Sequence, residues 1–156
     1  MYGVNSSITK TLVRHLVNYY ANSCKGKLKA VLLDILDTPV SPELLPPKEN
    51  KVSQITEDIV GPYILHDFYL YNFLVNGFSP KKLYYIARDT FKEEYDNTTI
   101  LKWLKIFIKR FFNQQFKRSC VPDGVKVGSV ALSPRGDWRM PSDATSSLWL
   151  DRKSVV

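Results

Sequence analysis

Residues 98–116 read TTILKWLKIFIKRFFNQQF, and this stretch decides the fold class. Ile100, Leu104, Phe107, Ile108 and Phe111 recur at helical spacing, so the pattern predicts a long helix with one apolar face. Lys102, Lys105 and Lys109 line another face. Upstream, Ser79-Pro80 reads as the N-cap and first position of a preceding helix, with Leu83, Ile86, Ala87 and Phe91 as its stripe. Before it, a helical pattern resumes near Glu57 and ends at Gly77. Val60, Tyr63, Ile64, Phe68, Tyr71, Leu74 and Val75 form one of its faces. Leu65, Leu70 and Phe73 make much of the other face apolar too, which predicts burial on several sides.

Two further helices are expected at 10–22 and 27–37, broken apart by Gly26. Leu12, Val13, Leu16, Val17 and Tyr20 mark the first, and Leu28, Val31, Leu32, Ile35 and Leu36 the second. Residues 38–57 hold Pro39, Pro42, Pro46 and Pro47 with little apolar periodicity, so they read as a long loop. Residues 120–156 are rich in Pro, Gly and Ser, with at most a short strand around 129–132. The chain is expected to be mainly α.

Its 156 residues are room for one domain. The 22 basic residues exceed the 15 acidic ones by +7, which points to an anionic partner: a nucleotide, nucleic acid or an acidic surface. Cys24 and Cys120 are isolated thiols, so neither a disulfide scaffold nor a Cys-rich zinc site is expected. With only His15 and His66, a His-built metal centre is not expected either. The most apolar stretch, 59–78, is interrupted by His66, Asp67, Asn72 and Asn76, and no membrane span is assigned. The first ten residues, MYGVNSSITK, lack the basic and apolar regions of a secretory leader, and a cytoplasmic setting is the simplest expectation. Asn5-Ser6-Ser7, Asn97-Thr98-Thr99 and Arg135-Gly136-Asp137 then read as chance matches to glycosylation and adhesion motifs.

Neither glycine-rich phosphate motif is present, nor a nucleophile elbow, and no catalytic residue or metal ligand is assigned. His66-Asp67, inside an apolar helix, reads as a core histidine with a hydrogen-bonded carboxylate. Lys117-Arg118, after a Lys-rich helix, suits a phosphate clamp, although charge alone favours a solvated basic face. Glu57 and Asp58 are acidic candidates for a metal ion or a substrate hydroxyl; complementing a helix dipole is the simpler role. The nine tyrosines and three tryptophans serve a core or stack on nucleotides, and spacing does not separate the two.

Longer strings carry more. KVSQITEDIVGPYILHDF at 51–68, DTPVSPELLP at 37–46, MYGVNSSITKTLVRHLV at 1–17 and above all RFFNQQFKRSCVPDGVKVGSVALSPRGDWRMPSDA at 110–144 resemble bacterial glutamine-dependent NAD synthetases. Thr9 stands where that family is expected to carry Pro. Together the strings cover nearly all of the chain.

The resemblance implies the C-terminal helical half of a Rossmann-like α/β domain of the ATP-pyrophosphatase type, similar to adenine nucleotide alpha hydrolases. Residues 1–118 would belong to that synthetase domain, 38–58 would be its substrate lid, and 119–156 an irregular basic tail. The family activates the nicotinate carboxylate of deamido-NAD with ATP and Mg2+, and glutamine-derived ammonia then displaces AMP. By resemblance Lys10 and Ser41 contact ATP, and Lys117 with Phe116 contacts deamido-NAD. The family's S-G-G-x-D-S pyrophosphate loop, its upstream magnesium ligand and its glutaminase Cys, Glu and Lys are not in this sequence. A C-terminal fragment, inactive alone and homo-oligomeric within the whole enzyme, is therefore expected. The competing readings are a non-catalytic basic nucleotide- or nucleic-acid-binding module, for which no recognition motif appears, and a scaffold piece.

Overall fold

The computed structural model describes residues 3, 5, 7–38, 60–129 and 131–151. They are helical with irregular connections, and no strand occurs among the described residues, 129, 131 and 132 included. The chain divides into two compact units, 9–63 and 1–8 together with 64–156.

In the smaller unit residues 9–38 form a helical hairpin. Helix α1 is Lys10–Ser23 and α2 is Gly26–Asp37. Between them Gly26 takes φ +65°, a left-handed conformation that glycine adopts without a Cβ penalty. The Cys24 N–H donates to the carbonyls of Tyr20 and Ala21, closing the end of α1. Two helices side by side can bury only the seam between them. Ala21 is fully buried, whereas Leu12, Leu16, Tyr20, Leu28, Val31 and Ile35 from the expected apolar stripes are exposed.

The larger unit contains α3 (Tyr63–Leu74), α4 (Pro80–Thr90), α5 (Asn97–Asn113), α6 (Gln115–Cys120) and the single turn α7 (Ser147–Leu150). Helix α5 is its axis and buries Ile100, Trp103, Leu104, Phe107, Ile108, Phe111 and Phe112. Its N-cap is Asp96, whose carboxylate accepts from the N–H groups of Thr98 and Thr99 at 3.2 and 3.4 Å. Hydrogen bonds from Thr98 and Thr99 hold that carboxyl at about 2. The helix ends three residues before the expected limit, because Gln114 leaves helical geometry at φ −100°, ψ 12°.

Helix α3 differs from expectation in two ways. It begins at Tyr63, the expected run being interrupted by Gly61 at φ +92° and Pro62; Glu57, where that run was expected to start, lies outside the described residues. Its buried face is Leu65, Tyr69 and Phe73, while Ile64, Tyr71 and Val75 of the larger apolar set face solvent. A helix apolar all round has no preferred side of its own; the rings of α5 choose it. Phe107 lies 5.6 Å from the Tyr69 ring and 5.9 Å from His66, and Phe111 lies 5.1 Å from Phe73. The Tyr69 hydroxyl donates to the Ile100 carbonyl at 3.1 Å, and burial raises its pKa.

Helix α4 starts as its sequence requires: Ser79 Oγ accepts from the Lys82 N–H at 3.4 Å, Pro80 follows, and Leu83 and Ala87 are buried. Residues 121–146 then fold back along α5. Trp138 meets Phe73 at 5.8 Å and Phe111 at 5.1 Å; Trp149 meets Phe73 at 5.4 Å and Phe112 at 5.6 Å.

Truncating Phe73 to Ala should destabilise this unit by about 3–5 kcal/mol, as for other buried Phe→Ala changes. Ile64→Ala on the opposite face should stay within about 1 kcal/mol; urea unfolding followed by circular dichroism measures both. The Asp96 cap adds a pH signature. Its folded pKa of about 2 lies below the ordinary 3.8, so its contribution is complete above 3.8 and is lost as pH falls towards 2. The difference in urea midpoint between wild type and Asp96→Ala should be widest at neutral pH and narrow over that window.

Candidate functional site

The string with the most specific resemblance, 110–144, forms one continuous construction around α6. Phe111 and Phe112 at the end of α5 are buried, and the break at Gln114 starts a new short helix whose first residue, Gln115, is fully buried. A buried amide must have its groups filled. Gln115 Nε2 donates to the Met140 carbonyl at 3.1 Å, and its Oε1 accepts from Arg118 Nε at 2.8 Å. Ser119 Oγ donates to the Gln115 carbonyl at 3.1 Å and lies 3.3 Å from Ser142 Oγ. One side chain thus joins the helix, the returning segment and a guanidinium.

Lys117 and Phe116, expected at the deamido-NAD site, lie on the open side of α6. Phe116 is half exposed and Lys117 Nζ is 5.9 Å from its ring centroid. An exposed ring edged by an ammonium can stack on a flat heterocycle and meet an anionic group beside it. Arg118 turns the other way. It donates to the Phe111 carbonyl and stacks over that ring, its guanidinium carbon 4.9 Å from the centroid. Burial lowers its basicity. As a bare basic pair, Lys117-Arg118 does not mark Arg118 as the member turned inward. The available signal was spacing: seven residues after Phe111 and three after Gln115, it falls on their side of a helical path.

A cleft of about 280 Å³ is lined by Leu74, Val75, Lys126, Ser129, Ala131, Asp137 and Trp138. Lys126 Nζ pairs with the Asp137 carboxylate at 2.5 Å, and that hydrogen bond holds Asp137 below the usual carboxylate range. The Trp138 Nε1–H is buried, with no acceptor among the described residues. The amino-terminal end clamps this region: Ser7 Oγ donates to the Val125 carbonyl at 3.2 Å and accepts from the Val127 N–H at 2.9 Å. At Gly128 any Cβ would sit 2.8 Å from the Ser7 carbonyl oxygen, so glycine alone fits there.

In the hairpin unit Lys10 is the first residue of α1 and is exposed. Thr9, its N-cap, makes no side-chain cap bond. His15 lines a cleft of about 490 Å³ with Thr11, Arg14, Asn18, Leu33, Leu36 and Asp37. Ser41, Glu57 and Asp58, and the 38–58 loop beyond Thr38, lie outside the described residues. Cys24 and Cys120 are free thiols. Among the described residues no three His, Cys, Asp or Glu side chains converge on a metal position, so these residues do not fit a magnesium site. No described helix is long and apolar enough to cross a membrane.

No family model matches the chain. Individual proteins do. The glutamine-dependent NAD(+) synthetase of Mycobacterium tuberculosis (strain H37Rv) is 39% identical over 171 residues, covering 97% of this chain and 25% of that protein. The enzyme of the same description from Mycobacterium leprae (strain TN) is 38% identical over 170 residues, covering 96% of this chain and 25% of its own length. The chain is thus homologous to a segment of glutamine-dependent NAD(+) synthetases and spans about a quarter of the length of these curated relatives.

Replacing Gln115 with Leu keeps the volume and removes both bonds. The Met140 carbonyl and the Arg118 Nε–H then lose a partner, for about 1–3 kcal/mol at each if no water replaces it. A urea midpoint within error of wild type would show that the amide does not hold α6 to the returning segment.

Proposed function

We propose that this chain forms part of the substrate-binding region of a glutamine-dependent NAD synthetase, which converts deamido-NAD to NAD. The observation that carries this reading is the match of nearly the whole chain, at 39% identity, to one quarter of such enzymes. In this reading 1–118 belong to a Rossmann-like ATP-pyrophosphatase-type domain, with 38–58 as its lid and 119–156 as its tail. The setting is cytoplasmic and the complete enzyme homo-oligomeric.

The chemistry is a two-stage exchange at one carboxylate. A nicotinate oxygen attacks the α-phosphorus of ATP and pyrophosphate leaves; ammonia from glutamine then attacks the acyl carbon and AMP leaves. A carboxylate is a poor electrophile, and its adenylate is a good one. Mg2+ would offset phosphate charge in the whole enzyme. The part assigned to this chain is recognition. Phe116 offers an open ring face for the pyridine or adenine plane, and Lys117 offers an exposed ammonium for a carboxylate or phosphate oxygen. Lys10 and Ser41 are assigned to ATP. Glu57 and Asp58 are assigned to the lid as acidic candidates for a substrate hydroxyl.

The test is Lys117→Ala in a complete synthetase containing this segment. A charge-assisted hydrogen bond is worth about 1.5–3 kcal/mol, so deamido-NAD affinity should fall on the order of 10- to 100-fold, with a much smaller change for ATP. Unchanged deamido-NAD affinity, or an equal loss for ATP, would remove Lys117 from that site. The 156-residue chain alone, given ATP, Mg2+, deamido-NAD and ammonium, should form no NAD above a protein-free control, because the backbone nest expected to hold the ATP phosphates is not in its sequence.

A further inference from the structure

We propose that Arg118 and Arg135 form a binding site for a phosphate group in a pocket separate from the face that carries Phe116 and Lys117. The pocket has a volume of about 80 Å³, and its lining includes Arg118, Arg135, Ser133, Val121, Pro122 and Leu132. That is room for several waters or one small oxyanion.

Three observations lead to an anion. First, two arginines, from different segments, line one small cavity. Like charges gathered at a site with apolar walls repel unless a negative group joins them. Second, Arg118 is partly withdrawn from water, yet its acceptors are neutral: the Gln115 amide oxygen and the Phe111 carbonyl. No carboxylate pairs with it among the described residues, so its charge is uncompensated. Third, both heads are held in place. Arg135 donates to the Asp123 carboxylate and the Val121 carbonyl, while Ser133 Oγ accepts from the Arg135 N–H at 3.3 Å. The single carboxylate of Asp123 leaves the pair with a net positive charge.

A fixed guanidinium presents several N–H groups in one plane, which suits the multiple oxygens of a phosphate. Pinning by Gln115, Phe111, Asp123 and Val121 reduces the rotamer entropy lost when the anion arrives. Phosphate is favoured over carboxylate because two guanidiniums, approaching from different segments, can each engage their own oxygens of a tetrahedral group.

This inference rests on the pocket and not on the amidation reading. It is tested on the full chain with inorganic phosphate as the probe, by 31P line broadening and calorimetry, at ionic strength held constant with chloride. Wild type should bind saturably, and Arg135→Gln should weaken binding by about tenfold or more. The Arg135 side chain is about half exposed and lies outside the apolar core, so that variant is expected to keep the fold; circular dichroism checks it. Arg118→Lys, which keeps the charge but loses the planar donors, should also weaken binding. Titration with AMP separates the sources. Competition between AMP and phosphate, with both weakened in Arg135→Gln, assigns the site to a nucleotide's phosphate; phosphate binding alone assigns it to the free ion. Absence of saturable phosphate binding in wild type, or equal affinity in wild type and Arg135→Gln, overturns the proposal.

Discussion

The larger unit depends on the ring of Phe73. It projects from α3 and meets Phe107 and Phe111 of α5, Trp138 of the returning segment and Trp149 of α7, all with centroids 5.1 to 6.4 Å away. These are edge or tilted contacts, the arrangement that ring quadrupoles favour. One side chain therefore ties together four segments that share little regular backbone hydrogen bonding. Among its described residues 121–146 hold no strand or long helix, so side chains must order this segment; Trp138 within it, Trp149 just after it and Ser7 on Val125 and Val127 do so.

The polar counterpart is Gln115. It occupies the first position after the helix break, fully buried, with its amide divided between the Met140 carbonyl and the Arg118 guanidinium. Gln115 and Arg118 fall four and seven residues after Phe111, on the buried side of the helical path, and Phe116 and Lys117 fall outside. One face of α6 is consequently structural and the other is open to solvent. The pocket at Arg118 and Arg135 lies on the structural side, where fixed cations and apolar walls coincide.

Much of this was legible in the residues. Ser79-Pro80 opened α4 and Gly77 ended α3 because capping and left-handed φ are local chemistry, decided within a few residues. The α5 stripe was legible because its polar and apolar faces differ sharply. The homology was legible in the string 110–144, whose unusual composition is not forced by any secondary-structure period. The face of α3 was not legible, since Leu65, Tyr69 and Phe73 compete with an equally apolar set and only the partner helix breaks the tie. For Arg118 only the side was legible, through its spacing from Phe111 and Gln115; what it turns towards, the Phe111 ring and the Gln115 amide, was decided by packing.

Sequence alone determined where helices run, where several of them start and stop, and which larger enzymes this chain resembles. These depend on interactions between residues a few positions apart, or on direct correspondence of residues. Tertiary structure decided what is inside. It left the stripes of α1 and α2 largely exposed, since two helices cover only a narrow seam. It sent Trp138 and Trp149 onto Phe73 across 65 and more residues, and it set a buried glutamine against an arginine. Burial is a property of what packs from elsewhere in the chain, and no local period encodes that.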